Sequence, residues 1–163
     1  MKPIIATFLY VGYLKPAPGT WGSLAALPIL WALHQLGGPW LVAGFILAAF
    51  LVGWWATAGL IAGQENKDPS EIVIDEVVGQ GLAILPVSIG AAVMGAEVLA
   101  LYPGWIAGFL LFRLFDIWKP GPVGWADRKG GALGVMLDDV IAGLFAAIGV
   151  VALAAASHLL LMP

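Results

Sequence analysis

Two adjacent acid pairs, Asp75-Glu76 and Asp138-Asp139, and the single Asp116 stand where long apolar runs begin or end. An ionised side chain at the bilayer centre costs about 2.5–3.5 kcal/mol, and less toward the interface. Five carboxylates at membrane ends, converging on one face, would repel one another unless cations sat between them. Oxygen donors without Cys or His favour hard divalent ions, Mg²⁺, Mn²⁺ or Ca²⁺, over zinc. The competing account is that acids collect at helix N-termini, where the dipole favours them. That explains Glu71 and one member of each pair, but not Asp116 near a C-terminal end. The reading is therefore metal binding by Asp75, Glu76, Asp138 and Asp139, with Asp116 as a fifth catalytic carboxylate.

The residues around these acids point to phosphate. Phe112–Val140 holds four of the seven basic and four of the ten acidic residues of the chain. Arg113 lies three residues before Asp116, on the same helix face. Its guanidinium fork matches a phosphate bidentately, and a salt bridge to Asp116 is equally expected. Lys119, Arg128 and Lys129 can steer an anionic headgroup or act only as topology determinants, and for Arg128 and Lys129 the second role is favoured. The turn Gly130-Gly131-Ala132-Leu133-Gly134 offers backbone N–H groups to an anion. Thr20 and Ser23, in a Gly/Pro-rich stretch, can donate to phosphate or cap a helix starting at Leu24; capping is favoured for Ser23. Carboxylates, a metal and Arg/Lys together suggest metal-assisted phosphoryl transfer to water. A carboxylate would serve either as general base or as a nucleophile that forms an acyl-phosphate.

The elements that position this chemistry are membrane helices. Of 163 residues, 61% are hydrophobic and 10% charged, with a mean hydropathy of +0.98. This is the composition of a polytopic membrane protein, read as one all-α integral domain over residues 1–163. With no cysteine, disulfides, thiolate metal sites and a Cys nucleophile are excluded. No P-loop is present, and Met1–Tyr10 has one Lys and no cleavage-like site. Lys2–Leu14 is too short to span and is read as an interfacial helix. Then come Leu24–Leu36 (short for a span), a turn at Gly37-Gly38-Pro39, and Trp40–Ala62. Ser70 or Asp68 is expected to cap a helix from Glu71 to about Gly95, bent at Pro86. Trp105–Trp118 and Leu137–Leu161 complete a bundle of four to five membrane segments. The Trp residues near segment ends read as an interfacial belt.

If these segments alternate, every Lys and Arg falls on one side. The positive-inside rule makes that side cytoplasmic. All acids except Glu97 share it, whereas His34 and His158 fall on the other side, which argues against His-based chemistry at the charged face. A small ion carrier would also use intramembrane acids, but near the midplane and often in repeated halves. No repeat is visible here.

The segments APGTWGSLAALP (17–28), DPSEIVIDEVVGQ (68–80), FRLFDIWKPGPVGWADRK (112–129) and GGALGVMLDDVIAG (130–143) resemble, in order, the blocks of the phosphatidylglycerophosphatase A family. The resemblance implies a Mg²⁺-dependent enzyme of the bacterial inner membrane. It would take the terminal phosphate from phosphatidylglycerophosphate to give phosphatidylglycerol at a cytoplasmic site. Its implied functional residues are Thr20, Ser23, Asp75, Glu76, Arg113, Asp116, Lys119, Asp127, Asp138 and Asp139. The expected partner is the phospholipid substrate, with no nucleic acid and no protein partner. Another lipid-headgroup enzyme, a CDP-alcohol phosphotransferase, would also need paired acids and Mg²⁺, but its DG-xx-AR tract followed by G-xxx-D-xxx-D is not found.

Overall fold

The computed structural model describes residues 1–63 and 69–161. Its helices are α1 (Lys2–Ala6), α2 (Pro18–Ile61), α3 (Ile74–Met94), α4 (Tyr102–Trp118), α5 (Pro122–Asp127) and α6 (Gly131–Leu161), with short 3₁₀ turns at Val11–Tyr13 and Val98–Leu101. There is no strand among the described residues. Four helical stretches, in α2, α3, Val98–Trp118 and α6, are long and apolar enough to cross a membrane.

The first of them doubles back. Gly37 and Gly38 leave helical geometry, and Gly38 takes φ 61°, a left-handed value that glycine adopts without a Cβ penalty. Pro39 then starts the second limb at a position where its missing N–H is harmless. The first limb, 18–36, runs alongside α3: Ser23 meets Glu76, and further along His34 meets Ser88. The second limb, 39–61, runs the other way. A Cβ on Gly81 would touch Ile46, and one on Gly53 would touch Ile74. The expected Leu24–Leu36 and Trp40–Ala62 segments are thus two antiparallel limbs. The first reaches back to Pro18, and its 19 residues rise about 28 Å, close to the hydrocarbon thickness of about 30 Å.

α3 is the central helix, packed against α2, α4 and α6. Between apolar helices in lipid there is no hydrophobic drive to associate, so close van der Waals approach and polar contacts must hold the bundle. Small residues provide that approach. A Cβ on Gly143 of α6 would lie 2.4 Å from the Gly79 carbonyl oxygen, and one on Gly79 would run into Phe112 of α4. Leu30, Val77, Ile84 and Met136 fill the main core, and Phe112, Val123 and Ala146 a second one. Leu47, Leu51, Ile106, Leu110, Leu114, Ile148 and Leu153 face outward. Such a surface is a liability in water and ordinary in hydrocarbon.

Several expected boundaries move. α3 begins at Ile74, with Val73 as its N-cap and no side-chain cap, so Ser70 does not cap it and Glu71 precedes its first turn. Asp68 and Lys67 lie outside the described residues. α3 runs unbroken through Pro86 to Met94, where Gly95 closes it in a left-handed conformation. α4 starts at Tyr102 and α6 at Gly131, a full turn and a half before Leu137. The N-terminal piece is a single turn of helix followed by turns rather than one helix to Leu14. The described Lys and Arg residues lie at one end of the bundle, with Glu97, His34 and the last turn of α6 at the other.

Candidate active site

Three helix starts and one helix end meet at the charged end. The first turn of α2, the first turn of α3, the last turns of α4 and the second turn of α6 enclose a cavity of about 290 Å³. Asp75, Glu76, Asp116, Asp138 and Asp139 line it with Arg113, Lys119 and Thr20. Each of the five carboxylate residues is at most 9% exposed. Five buried acids therefore face two cations in one recess, where uncompensated charge is expensive.

The two acid pairs are divided by helical geometry. Neighbouring residues on a helix point about 100° apart, so only one of each pair can aim at the same point. Glu76, Asp139 and Asp116 point inward, each offering an oxygen within 4.8 Å of the others. Oxygens bound to one divalent cation are separated by no more than roughly twice the metal–oxygen distance, about 4–5 Å. The donor set is all carboxylate, which suits Mg²⁺, Mn²⁺ or Ca²⁺. Asp75 and Asp138 line the cavity beside this triad. Asp75 accepts a hydrogen bond from the Glu76 backbone N–H at 2.9 Å, and Asp138 one from Asp139 N–H at 3.1 Å.

The cations are placed by α4. Arg113 forms ion pairs with Glu76 and, at 2.9 Å, with Asp116, and donates to Ser23 Oγ at 3.4 Å. Both expected roles of Arg113 are compatible, since the guanidinium bridges two acids and still borders the cavity. Ser23 Oγ also lies 3.2 Å from Glu76 Oε2 and 2.9 Å from the Gly19 carbonyl oxygen. Ser23 is thus inside α2, holding Glu76, rather than capping a helix at Leu24; the N-cap of α2 is Ala17. Lys119 sits just past the C-terminus of α4, where the helix dipole favours a cation, and its ammonium joins Asp127 to Asp138, the latter at 2.9 Å. Burial lowers the Lys119 pKa, but its bonds to Asp138 and Asp127 outweigh that and raise it above the ordinary lysine value.

Not every expected residue joins. Arg128 and Lys129 are exposed and outside the cavity lining, with Lys129 over the Trp125 ring at 4.1 Å. The Gly130–Gly134 stretch is the entry to α6, its first two residues in left-handed φ, and it packs on α5 rather than on the cavity. Conversely, Gly19 belongs to the site although it bears no reactive group. A Cβ there would lie 1.9 Å from Glu76 Oε1, so a glycine is what lets the start of α2 approach the triad. The spacing Gly-Thr-Trp-Gly-Ser carried that signal, obscured by its likeness to a loop.

The family model for phosphatidylglycerophosphatase A matches residues 4–154. A Haemophilus influenzae protein named phosphatidylglycerophosphatase A is 37% identical over 87% of this chain and 82% of its own length. The Escherichia coli protein of that name is 32% identical over 85% of this chain and 77% of its own. A Bacteroides thetaiotaomicron protein named putative phosphatidylinositol-3-phosphatase is 36% identical over 87% of this chain and 86% of its own. No solved structure matches.

Proposed function

This chain belongs to the phosphatidylglycerophosphatase A family, and on that premise we propose that it is a lipid phosphatase hydrolysing the terminal phosphate of phosphatidylglycerophosphate. The observation that carries the reading is the cavity in which the buried acids Glu76, Asp116 and Asp139 converge beside Arg113 and Lys119. These three acids would hold Mg²⁺, with Asp75 and Asp138 next to them. A divalent cation there supplies Lewis-acid stabilisation of the phosphate oxygens.

The chain's own residues do the rest. Arg113 takes one edge of the phosphate through its fork, and Lys119, kept charged by Asp127 and Asp138, holds the anion at the cavity mouth. Thr20, on the first turn of α2, lines the opposite wall. A water oxygen bonds to phosphorus as the P–O bond to the glycerol headgroup breaks. Asp75 or Asp138 takes the proton from that water, and a proton returns to the departing glycerol oxygen. Because the cavity opens at the end of membrane helices, the lipid keeps its acyl chains in hydrocarbon while its headgroup enters.

Sidedness supports the location. The described basic residues gather at the cavity end, which supports a site on the cytoplasmic side of the bacterial inner membrane. A carrier is disfavoured because the acids gather at one end of the bundle rather than at the midplane.

The Bacteroides relative's name supports a second reading, a phosphoinositide substrate, at comparable identity. The test is phosphate release by the purified chain from phosphatidylglycerophosphate, phosphatidylinositol 3-phosphate and phosphatidic acid. Preference for the first supports the proposal, and preference for the second replaces its substrate. Release from none of the three by folded protein would sink the phosphatase reading.

A further inference from the structure

Gln80 is fully buried, and neither its amide nitrogen nor its amide oxygen has a hydrogen-bond partner among the described residues. A buried polar group left without a hydrogen bond carries its full desolvation penalty, whereas an apolar residue of similar volume would carry none. On packing grounds alone Gln80 is the wrong side chain for the middle of α3. Among the described residues the Nε–H of Arg113 and the Thr57 hydroxyl also lack a partner, and of these Arg113 is the one at the cavity.

Gln80 and Arg113 both flank Glu76. Gln80 lies one turn from Glu76 on the same face of α3. Arg113 is ion-paired to Glu76 from α4. Its neighbour Phe112 packs where a Gly79 Cβ would be, which sets this stretch of α4 against residues 76–80 of α3. Ser23 is bonded to Glu76 from α2. The needs of Gln80 and Arg113 are complementary. Arg113 Nε–H needs an acceptor, while the Gln80 carboxamide brings one acceptor and two donor hydrogens. A buried water needs two to four polar partners, and these groups supply three.

We infer that Gln80 is a positioning residue for Arg113, its carboxamide fixing the guanidinium through one shared buried water so that the fork stays presented to the phosphate. The inference deepens the proposed function and rests on Arg113 as the phosphate ligand. Gln80 touches neither substrate nor the triad. It acts by narrowing the orientations of the guanidinium, as outer-shell partners of a ligand do.

The test uses the full chain in detergent, with Gln80→Leu and Gln80→Met made alone and in an Arg113→Lys background. Lysine has no Nε–H, so an effect routed through that atom must vanish there. The expected result is a thermal midpoint no lower than wild type, with kcat/KM for phosphatidylglycerophosphate reduced about tenfold, chiefly through KM. In the Arg113→Lys background the same substitutions should change kcat/KM less than about twofold. Equal losses in both backgrounds, or unchanged kcat/KM in the single variants, would overturn the inference. Gln80→Met covers the case in which Gln80→Leu does not fold. The rise in midpoint produced by inorganic phosphate needs no turnover. It should shrink in Gln80→Leu but not further in the double variant, so the inference can fail even if the lipid assigned above is wrong.

Discussion

The two ends of the bundle are built from the same helices and differ in almost everything else. At one end α3, α4 and α6 enclose five carboxylates and two cations in about 290 Å³. At the other the same three helices splay around a larger space, about 600 Å³, lined by Val87, Leu101, Ala107, Val150 and Leu153 with Ser157 and His158 at its edge. Polar contacts at that far end are single neutral or surface pairs: His34 to Ser88 at 2.7 Å, Gln35 donating to Glu97 at 3.3 Å, and Glu97 accepting from the Ala100 N–H at 2.9 Å. The His34–Ser88 contact pairs part-buried groups and Glu97 lies at the exposed surface, whereas the near-end acids are gathered together in one buried cluster. That gathering of buried charge is the mark of a site rather than of a scaffold.

The contrast can be broken at the near end first. Asp139→Asn, Glu76→Gln or Asp116→Asn removes one member of the triad, and phosphate release should fall at least about 100-fold while the protein stays in the membrane. Arg113→Lys keeps the charge but loses the fork, and should lower kcat/KM by about 10- to 100-fold. Lys119→Ala leaves Asp138 buried without its cation, so both activity and thermal midpoint should drop, activity by about tenfold. The raised Lys119 pKa has a definite sign. Its contribution is present below the ordinary lysine value and is lost only as pH rises through the raised one. Up to pH 9, therefore, Lys119 should impose no alkaline fall in rate, which a pH–rate profile of Lys119→Arg beside wild type checks. The smallest effect belongs to the far end. His34→Ala should lower stability by about 0.5–1.5 kcal/mol and leave kcat within about twofold, measured on the same preparation.

The same division runs through what could be read from the sequence. The apolar segments, their order, the turn at Gly37-Gly38 and the gathering of charge at one end were legible because hydropathy and charge sidedness need no tertiary information. The helix starts were not. Glycines at 19, 22 and 134 read as loop formers, yet each lies in a helix where a Cβ would meet a neighbour: Glu76 Oε1, Val73 and the Ala126 carbonyl. In a membrane bundle a glycine marks close approach as readily as a break. Pro18 likewise read as a breaker and is a helix start. At the site, sequence position marks every acid, but it groups them as the neighbours Asp75-Glu76 and Asp138-Asp139. Only the rotation of each helix shows that Glu76 and Asp139 join Asp116 while Asp138 turns to Lys119. Gln80 and Gly19 were invisible because burial without a partner, or a missing Cβ, is a property of the assembled fold.

The most direct test of the central claim is the dependence of phosphate release on divalent cation. Purified chain would be stripped with EDTA, supplied with phosphatidylglycerophosphate, and titrated with Mg²⁺, beside Asp139→Asn treated identically. The account predicts no release in EDTA, recovery on adding Mg²⁺, and no recovery in Asp139→Asn at any concentration that saturates wild type. Full release in EDTA, or an Asp139→Asn variant that responds to Mg²⁺ as wild type does, would contradict it.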